Sequence, residues 1–498
     1  MATEVVLKYV QIIVVLTIIY AVNVLAQSGC MVATSQGQRA VSQNDLFFKT
    51  ISAAPRCPQN IDEVNSLLAN QFQNRKFLVA NRGRNNPKQG SFSFFESFSG
   101  GTRNGEAGIF LGHFTGLKNF GGKVMIDLDQ SPDKGKLVIE LIAWDAVKGY
   151  YNFYELIGQG TMNQWFYRGD SKDILLDNQA IYLSQPAQFG QRLRCSGCHV
   201  SGGPIMKELA FPHNDWWVKS RPLLFENPQS EAFLQRLRVV DTAENFSSQV
   251  QMGIQKLEAS TQYQALKKSF SVQAQLRPLF CDMEINIQSD INSSDRSGNI
   301  QIPLASVGGP FAGTSPMVIS KSVYQGLLQK YGLQFPETKF QDADHGWLSP
   351  VKGYSDLLAI ASLKASGLID DKTILDVYFA AQIGVLMNKD RCQLLKLVPN
   401  TWNWKPGFLQ NLKLQTSMVA KSMYQRMTNP ELNLAAYQKA IGEWYAQTSK
   451  KLQAGDVESS FVQLLQNRKA VFESDISKNP RGQILEPGFR VIFPVKRL

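Results

Sequence analysis

The sequence contains few histidines and cysteines, and it lacks several patterns that would define its class at once. Four histidines and six cysteines occur among its 498 residues. It has no block of Lys and Arg and no basic-aromatic array, which argues against a nucleic-acid site. Past residue 26, no apolar stretch approaches the roughly twenty residues that a membrane-spanning helix needs. No repeat of fixed period appears. These absences predict a soluble globular protein beyond the N-terminus.

The composition is ordinary for such a protein. Hydrophobic residues make up 44% of the chain and charged residues 19%. A chain of this length can bury a large core and divide into about two or three regions. The net charge of +11 would suit an acidic redox partner, an anionic membrane surface or an anionic substrate. Because the basic residues are dispersed, a solvated basic surface is the simpler interpretation.

The N-terminal segment has the pattern of an export signal. A short polar start is followed by an almost wholly apolar run from Tyr9 to Ala26. Small and apolar residues before Ala26 predict a signal peptide over residues 1–26, cleaved after Ala26. Two alternatives remain: an uncleaved N-terminal anchor, and a lipoprotein modified at Cys30. We expect an exported protein of the bacterial periplasm or the outer face of the membrane, in contact with the membrane only if the N-terminal segment stays as an anchor.

The most informative motif is Cys195-Ser196-Gly197-Cys198-His199, a C-x-x-C-H sequence. In an exported protein this is the attachment signature of a c-type haem. Two thiols three residues apart lie on one side of a helical turn, where each can form a thioether with a haem vinyl group. The following imidazole then faces the iron. With so few Cys and His, a random match is expected about once in a thousand such chains.

Two other interpretations of the motif stay open. A zinc site would use the two thiolates and the imidazole, but it needs a fourth ligand, and the sequence has no second C-x-x-C and no H-x-x-x-H. A disulfide between Cys195 and Cys198 would give His199 no role as a ligand.

Over these five residues the chain resembles the c-type cytochromes. The resemblance implies one covalent haem c, held through Cys195 and Cys198, with His199 as the proximal axial ligand of the iron. In small cytochromes c a proline past the motif offers its carbonyl to the proximal imidazole, a role that Pro204 or Pro212 would fill here. The resemblance is local and does not extend over the whole chain.

The sixth iron position separates an electron carrier from a catalyst. The candidate sixth ligands are His213, His345 and Met206, and an open position is the further alternative. Met206 follows a tight turn close to the motif, so reaching the opposite haem face would strain the loop. His213 has a longer tether and lies in a polar-aromatic cluster. A lone His is more often an ordinary surface or core residue than a ligand.

The four other cysteines predict two disulfides, because an even remainder in an oxidising compartment is usually paired. Sequence order suggests Cys30 with Cys57 and Cys281 with Cys392, although three pairings can be written for four cysteines.

The pattern of apolar residues predicts an α+β fold. Residues 27–185 form a β-rich region, expected to be an antiparallel sandwich or barrel. Residues 186–290 form the haem-binding segment with helices, and residues 291–498 a mainly helical region ending in a strand near 484–493. Dense aromatics before the motif suggest a wall of the haem pocket or a platform for a substrate, with Arg168 available to a haem propionate. The simpler explanation is that aromatics suit strands and cores.

Polar residues before apolar periodic stretches predict where several helices begin. The expected caps are Asn60 with Glu63, then Ser355, and then Asp370 or Asp371. Asn429-Pro430 is expected to interrupt the last helices.

Three functions fit these patterns. The first is a monohaem c-type cytochrome protein that transfers single electrons to a partner protein or a small molecule. The second is a haem-dependent oxidoreductase of the peroxidase or oxygenase kind, with an open distal site shaped by His213, His345 or Arg168. The single C-x-x-C-H motif argues against a dihaem peroxidase, which would normally have two such motifs. The third is a haem-containing sensor or binding protein.

Overall fold

The computed structural model describes the greater part of the chain. The described residues are 29–69, 71–80, 92–100, 108–114, 116–120, 123–127, 134, 137–183, 199, 201–204, 241, 243–281, 284–288, 300–302, 317–331, 347–351, 354–380, 390–454, 456–459 and 462. The signal segment 1–26 and the expected C-terminal strand 484–493 lie outside them.

An antiparallel sheet dominates the N-terminal half, as the sequence predicts. Its strands follow the order β1-β2-β3-β6-β7-β8, and β4 and β5 form a separate pair. The bounds are β1 (Phe72–Ala80), β2 (Phe92–Gly100), β3 (Ile109–Phe114), β4 (Gly116–Phe120), β5 (Lys123–Asp127), β6 (Leu137–Asp145), β7 (Tyr150–Gly158) and β8 (Asn163–Asp170). The turn from β6 to β7 contains Gly149 at φ +68°. Asp145 stabilises this turn by accepting hydrogen bonds from two of its backbone amides, those of Val147 and Lys148.

Helices cover both faces of this sheet. These are α1 (Leu46–Ala53), α2 (Ile61–Leu68), α3 (Ser171–Leu183), α4 (Ala243–Ala259) and α5 (Thr261–Lys268). Tyr154 and Leu156 of β7 pack in one core with α1 and α2. Tyr151 and Phe153, which alternate with them, pack in a second core with α3 and α4.

The expectation of a sandwich or barrel is therefore corrected, while the α+β class is confirmed. Within the described residues, the sheet is a single open layer between helices. The physical reason lies in β7, whose residues after Tyr150 are all buried. A strand that is apolar on both faces needs packing elements on both sides. Here the helices that precede the strands in the sequence cover one face of the sheet, and helices that follow the strands cover the other.

A buried carboxylate fixes α1 against the sheet. Asp45 caps α1 by accepting from the Phe48 amide at 2.8 Å. Its other carboxylate oxygen accepts from the Tyr154 hydroxyl at 2.5 Å and from the side-chain amide of Asn152 at 2.7 Å. Burial raises the pKa of Asp45, although these hydrogen bonds oppose the shift. The pair of polar residues on β7 thus positions α1 over the sheet.

A third core, mainly helical, is built from the C-terminal half. Its helices and those beside it are α6 (Val272–Phe280), α7 (Lys321–Lys330), α8 (Tyr354–Ala365), α9 (Asp371–Phe379), a 3-10 helix (Asp390–Leu397), α10 (Trp404–Lys413), α11 (Met418–Thr428) and α12 (Leu434–Gln453). The region is not purely helical. β9 (Glu284–Gln288) pairs with β12 (Trp347–Val351), and β10 (Ile300–Ile302) pairs with β11 (Met317–Ile319).

The predicted helix starts are confirmed at two positions and wrong at one. Asn60 accepts from the Glu63 amide at 3.0 Å, and Asp370 accepts from the Thr373 amide at 2.7 Å. Ser355 is not a cap, because α8 already begins at Tyr354. The break at Asn429-Pro430 is also present, since α11 ends at Thr428 and α12 begins at Leu434.

Both expected disulfides are present. Cys30 pairs with Cys57, and Cys281 pairs with Cys392, with Cα–Cα distances of 4.4 Å and 4.5 Å. The first joins the start of the described chain to the segment before α2. The second joins the end of α6 to the 3-10 helix across 111 residues. None of the helices in the described part of the chain has both the length and the apolar character needed to cross a bilayer.

Candidate functional site

Of the residues predicted to attach the haem or to ligate its iron, the structure describes His199. The others lie outside the described residues: Cys195, Cys198, Met206, His213 and His345. Their roles stay predictions. The site can therefore be built from His199 and from the segment 201–204 that follows it.

A tight turn follows His199. The Gly202 amide donates to the His199 carbonyl oxygen at 2.8 Å, which closes the turn. Residues 201–204 are all buried, whereas His199 itself is only partly buried. The sequence predicts that Gly202-Gly203-Pro204 ends the local helix. In the structure the same three residues enter the protein core.

Glycine is required at position 202 for two reasons. Its φ is +74°, a conformation that other residues adopt at a cost. A Cβ there would also lie 2.6 Å from the backbone oxygen of Ser171. The turn therefore packs directly against the backbone at the start of α3.

The Ser171 side chain anchors the turn to the sheet. Its hydroxyl donates to the Gly202 carbonyl oxygen at 2.6 Å and accepts from the Tyr151 amide at 2.9 Å. Ser171 is fully buried. One hydroxyl thus forms hydrogen bonds with both a strand amide and a turn carbonyl in the core, where backbone polar groups need partners.

A second anchor comes from α5. The Tyr263 hydroxyl donates to the Ser201 carbonyl oxygen at 2.7 Å. Tyr263 is 2% exposed, and burial raises its pKa well above the ordinary value. The phenol therefore stays protonated and remains a hydrogen-bond donor at neutral pH.

The His199 ring is oriented by a backbone carbonyl. Its Nδ1 lies 2.8 Å from the carbonyl oxygen of Gly203. A carbonyl only accepts, so Nδ1 carries the proton, and a neutral imidazole then has its lone pair on Nε2. The ring also meets Phe153 of β7 edge to face, with centroids 5.2 Å apart. The resemblance to the c-type cytochromes predicts the Pro204 or Pro212 carbonyl in this role. The observed partner belongs to the residue before Pro204.

Arg168, proposed for a haem propionate, has another partner. Its Nε donates to the Glu155 carboxylate at 2.7 Å, and the two side chains are 11% and 1% exposed. Its guanidinium also lies over the Phe166 ring. This ion pair supports the simpler interpretation, in which the aromatic strands and Arg168 belong to the packed sheet.

Ser171 and Tyr263 are absent from the sequence predictions. Each contacts the turn across a long sequence separation, 31 residues for Ser171 to Gly202 and 62 for Tyr263 to Ser201. No local pattern signals such contacts.

Within the described residues, no group of three or more His, Cys, Asp and Glu side chains is arranged to hold a metal ion. The comparisons with protein-family models, curated proteins and solved structures find no match to this chain. Functional inference therefore depends on the motif and on the turn.

Proposed function

We propose that this chain is an exported protein that binds one haem c and transfers single electrons. Cys195 and Cys198 would carry the haem as thioethers, and His199 would be the proximal ligand. The haem-binding segment, residues 186–290, would lie between the β-rich region and the mainly helical region. The redox partner would be another protein or a small electron donor or acceptor.

The observation that carries this proposal is the hydrogen bond between His199 Nδ1 and the Gly203 carbonyl oxygen, at 2.8 Å. Histidines that ligate metals usually donate their second ring N–H to a carbonyl or carboxylate, which fixes the tautomer and the ring orientation. The bond to Gly203 has this form, and Nε2 would then be the ligand atom. It supports a ligand role for His199 over a role as a residue beside a disulfide.

The rigidity of the turn is a second support. The Ser171 and Tyr263 hydroxyls hold residues 201 and 202 by their backbone oxygens. A ligand positioned on a well-packed element keeps its geometry when the redox state changes. When bound, the haem supplies the one-electron chemistry, while the protein holds and orients His199.

Covalent attachment is the first test. We expect the protein matured with c-haem attachment enzymes to keep haem on a denaturing gel and to gain the mass of one haem. The Cys195→Ser/Cys198→Ser variant should lose both signals. The Cys30→Ser/Cys57→Ser variant is the matched control and should keep them, because these thiols form a disulfide. Haem-free wild-type protein, or protein containing one zinc ion, would overturn the proposal.

The optical spectrum, with and without carbon monoxide, tests the electron-transfer role. A low-spin spectrum unchanged by the gas would indicate two strong axial ligands, as expected for a carrier. A high-spin spectrum that shifts with the gas would instead indicate an open distal site, and electron transfer would give way to the oxidoreductase or sensor function.

A further inference from the structure

A cavity lies between helices α5, α6 and α8. Its volume is about 330 Å³, which is within the range of small-molecule sites. Most of its lining is apolar, and this part includes Leu175, Phe270, Ala274, Pro278, Ala359 and Leu363. An apolar cavity of about 150 Å³ can hold benzene, so this one has room for a ligand with two fused aromatic rings.

The opening of the cavity differs from its inner wall. Ala359 and Leu363 of α8 are buried, whereas Ser362 of the same helix and Lys268 of α5 line the cavity and are exposed. Trp402 also lines the cavity and is 58% exposed, so its indole ring lies at the opening. Aromatic rings pack favourably on one another. The cavity therefore offers an apolar interior and, at its polar rim, one ring against which a flat ligand can pack.

The charges that line the cavity leave one positive charge in excess. Three cationic side chains and two carboxylates contribute to the lining: Lys267, Lys268, Arg277, Glu258 and Asp356. Lys267 is paired with Glu258 at 2.7 Å, and Arg277 is paired with Asp356 at 3.5 Å. The ammonium group of Lys268 forms no ion pair with any residue in the described part of the chain. The lining therefore favours a ligand with one negative charge.

We propose that this cavity binds a small organic anion with a flat apolar body, of the class of aromatic carboxylates. The rings of the ligand pack between the apolar walls and the Trp402 indole, and its carboxylate accepts a hydrogen bond from Lys268 Nζ at the opening. Because Lys268 is exposed, the carboxylate keeps part of its hydration there, which limits the desolvation cost of binding a charge. This inference does not depend on haem attachment, because every group in it belongs to the protein.

Three probes test the ligand class by titration calorimetry on the purified full chain. Naphthoate has the proposed chemistry, naphthamide has the same rings without the charge, and acetate has the charge without the rings. We expect naphthoate to bind at one site. Naphthamide should bind about threefold to tenfold more weakly, the effect of one charged hydrogen bond at an open site, and acetate should not bind. Added salt should weaken naphthoate more than naphthamide. Absence of naphthoate binding, or equal affinity for the amide, would reject the proposal.

The Lys268→Gln variant tests the contact with the charge. It should weaken naphthoate by about threefold to tenfold and leave naphthamide unchanged. Lys421→Gln is the matched control, because Lys421 is also exposed but lies outside the cavity lining, and it should leave naphthoate binding as in the wild type. Equal effects of the two substitutions would contradict the proposed role of Lys268.

The Trp402→Ala variant tests the contact with the rings. It should weaken naphthoate and naphthamide by the same factor, about threefold to tenfold, because both probes carry the rings. Trp402 and Lys268 are exposed, so both variants should fold normally. Naphthoate binding that survives both substitutions unchanged would place the ligand elsewhere and overturn the inference. The haem-free Cys195→Ser/Cys198→Ser protein should bind naphthoate like the wild type.

Discussion

The Ser171 hydroxyl donates a hydrogen bond of 2.6 Å to the carbonyl oxygen of Gly202. This contact joins the first residue of α3 to the turn after His199. Ser171 Oγ also accepts a hydrogen bond from the Tyr151 backbone amide, so strand, helix and turn meet at this one atom. The stability of the turn should therefore depend on this side chain more than on any local sequence preference.

Ser171→Ala is expected to lower the free energy of unfolding by about 2–4 kcal/mol, because it removes two hydrogen bonds in the core, one to a buried amide and one to a buried carbonyl. Ser66→Ala is the control. Ser66 Oγ donates to the Asp62 carbonyl on the exposed side of α2, and its loss should change stability by less than about 0.5 kcal/mol. Urea unfolding of both variants measures the difference, and equal effects would contradict the anchoring role.

Gly202→Ala should destabilise the protein more than Gly37→Ala. The two glycines have nearly the same φ, +74° and +79°, so each substitution carries the conformational cost of about 1 kcal/mol. Only at position 202 would the new Cβ meet a backbone oxygen, whereas nothing lies within 4 Å at position 37. We expect a further loss of at least about 2 kcal/mol for Gly202→Ala. Similar unfolding midpoints for the two variants would show that the close packing is unimportant.

Tyr263→Phe removes the donor to the Ser201 carbonyl and should cost about 1–3 kcal/mol, because that carbonyl is buried. Tyr150→Phe is matched to it. The Tyr150 hydroxyl donates to the Gln262 carbonyl at an exposed site, where water can replace it. Guanidinium unfolding should therefore show little effect for Tyr150→Phe. An equally large effect for Tyr150→Phe would contradict the idea that burial of the acceptor carbonyl sets the cost of losing the tyrosine hydroxyl.

The two disulfides should contribute unequally to stability. In the chain-entropy model a cross-link that closes a longer loop stabilises more. The Cys281–Cys392 bridge spans 111 residues and the Cys30–Cys57 bridge spans 27. Replacing Cys281 and Cys392 by Ala should therefore cost about 1 kcal/mol more than replacing Cys30 and Cys57. The comparison is made by denaturant unfolding of the two double variants, and the reverse order would count against the entropic explanation.

The lowered pKa of Asp370 predicts that the stability of the protein depends on pH in the acid range. Although partial burial opposes it, hydrogen bonds from Lys405 and Thr373 lower the pKa of Asp370 from 3.8 to about 2. The folded state thus releases the proton more readily than the unfolded chain. The resulting stabilisation is complete above about pH 4 and is lost as the pH falls towards 2.

Asp370→Asn keeps a good capping residue but removes the charge. The difference in thermal midpoint between wild type and this variant should be constant from pH 7 to about pH 5 and should shrink as the pH falls through 3. A difference that stays constant down to the lowest accessible pH would exclude the linkage.

Local features of the fold could be predicted from the sequence, and long-range ones could not. The Asn60 and Asp370 caps depend on residues three positions apart, so a short pattern reveals them. Cysteine order also leads to the observed pairs. In contrast, the aromatic residues of β7 suit either face of a sheet, and nothing nearby indicates that α4, about a hundred residues later, covers one of them.

In the candidate site, too, local features could be predicted from the sequence and long-range contacts could not. His199 follows from the motif, and the turn after it follows from Gly202-Gly203-Pro204. The identity of the carbonyl that orients the imidazole depends on how the turn closes, so Gly203 replaces the expected proline. The candidate sixth ligands His213, His345 and Met206 stay predictions.

The Tyr263 anchor has a consequence for the order of maturation. Its partner, Ser201, precedes it by 62 residues, so if the chain is exported from its N-terminus the motif would emerge well before the helix that fixes the turn. Under the proposed function, attachment enzymes would reach Cys195 and Cys198 before α5 arrives, and α5 would then close the turn after the haem has been attached.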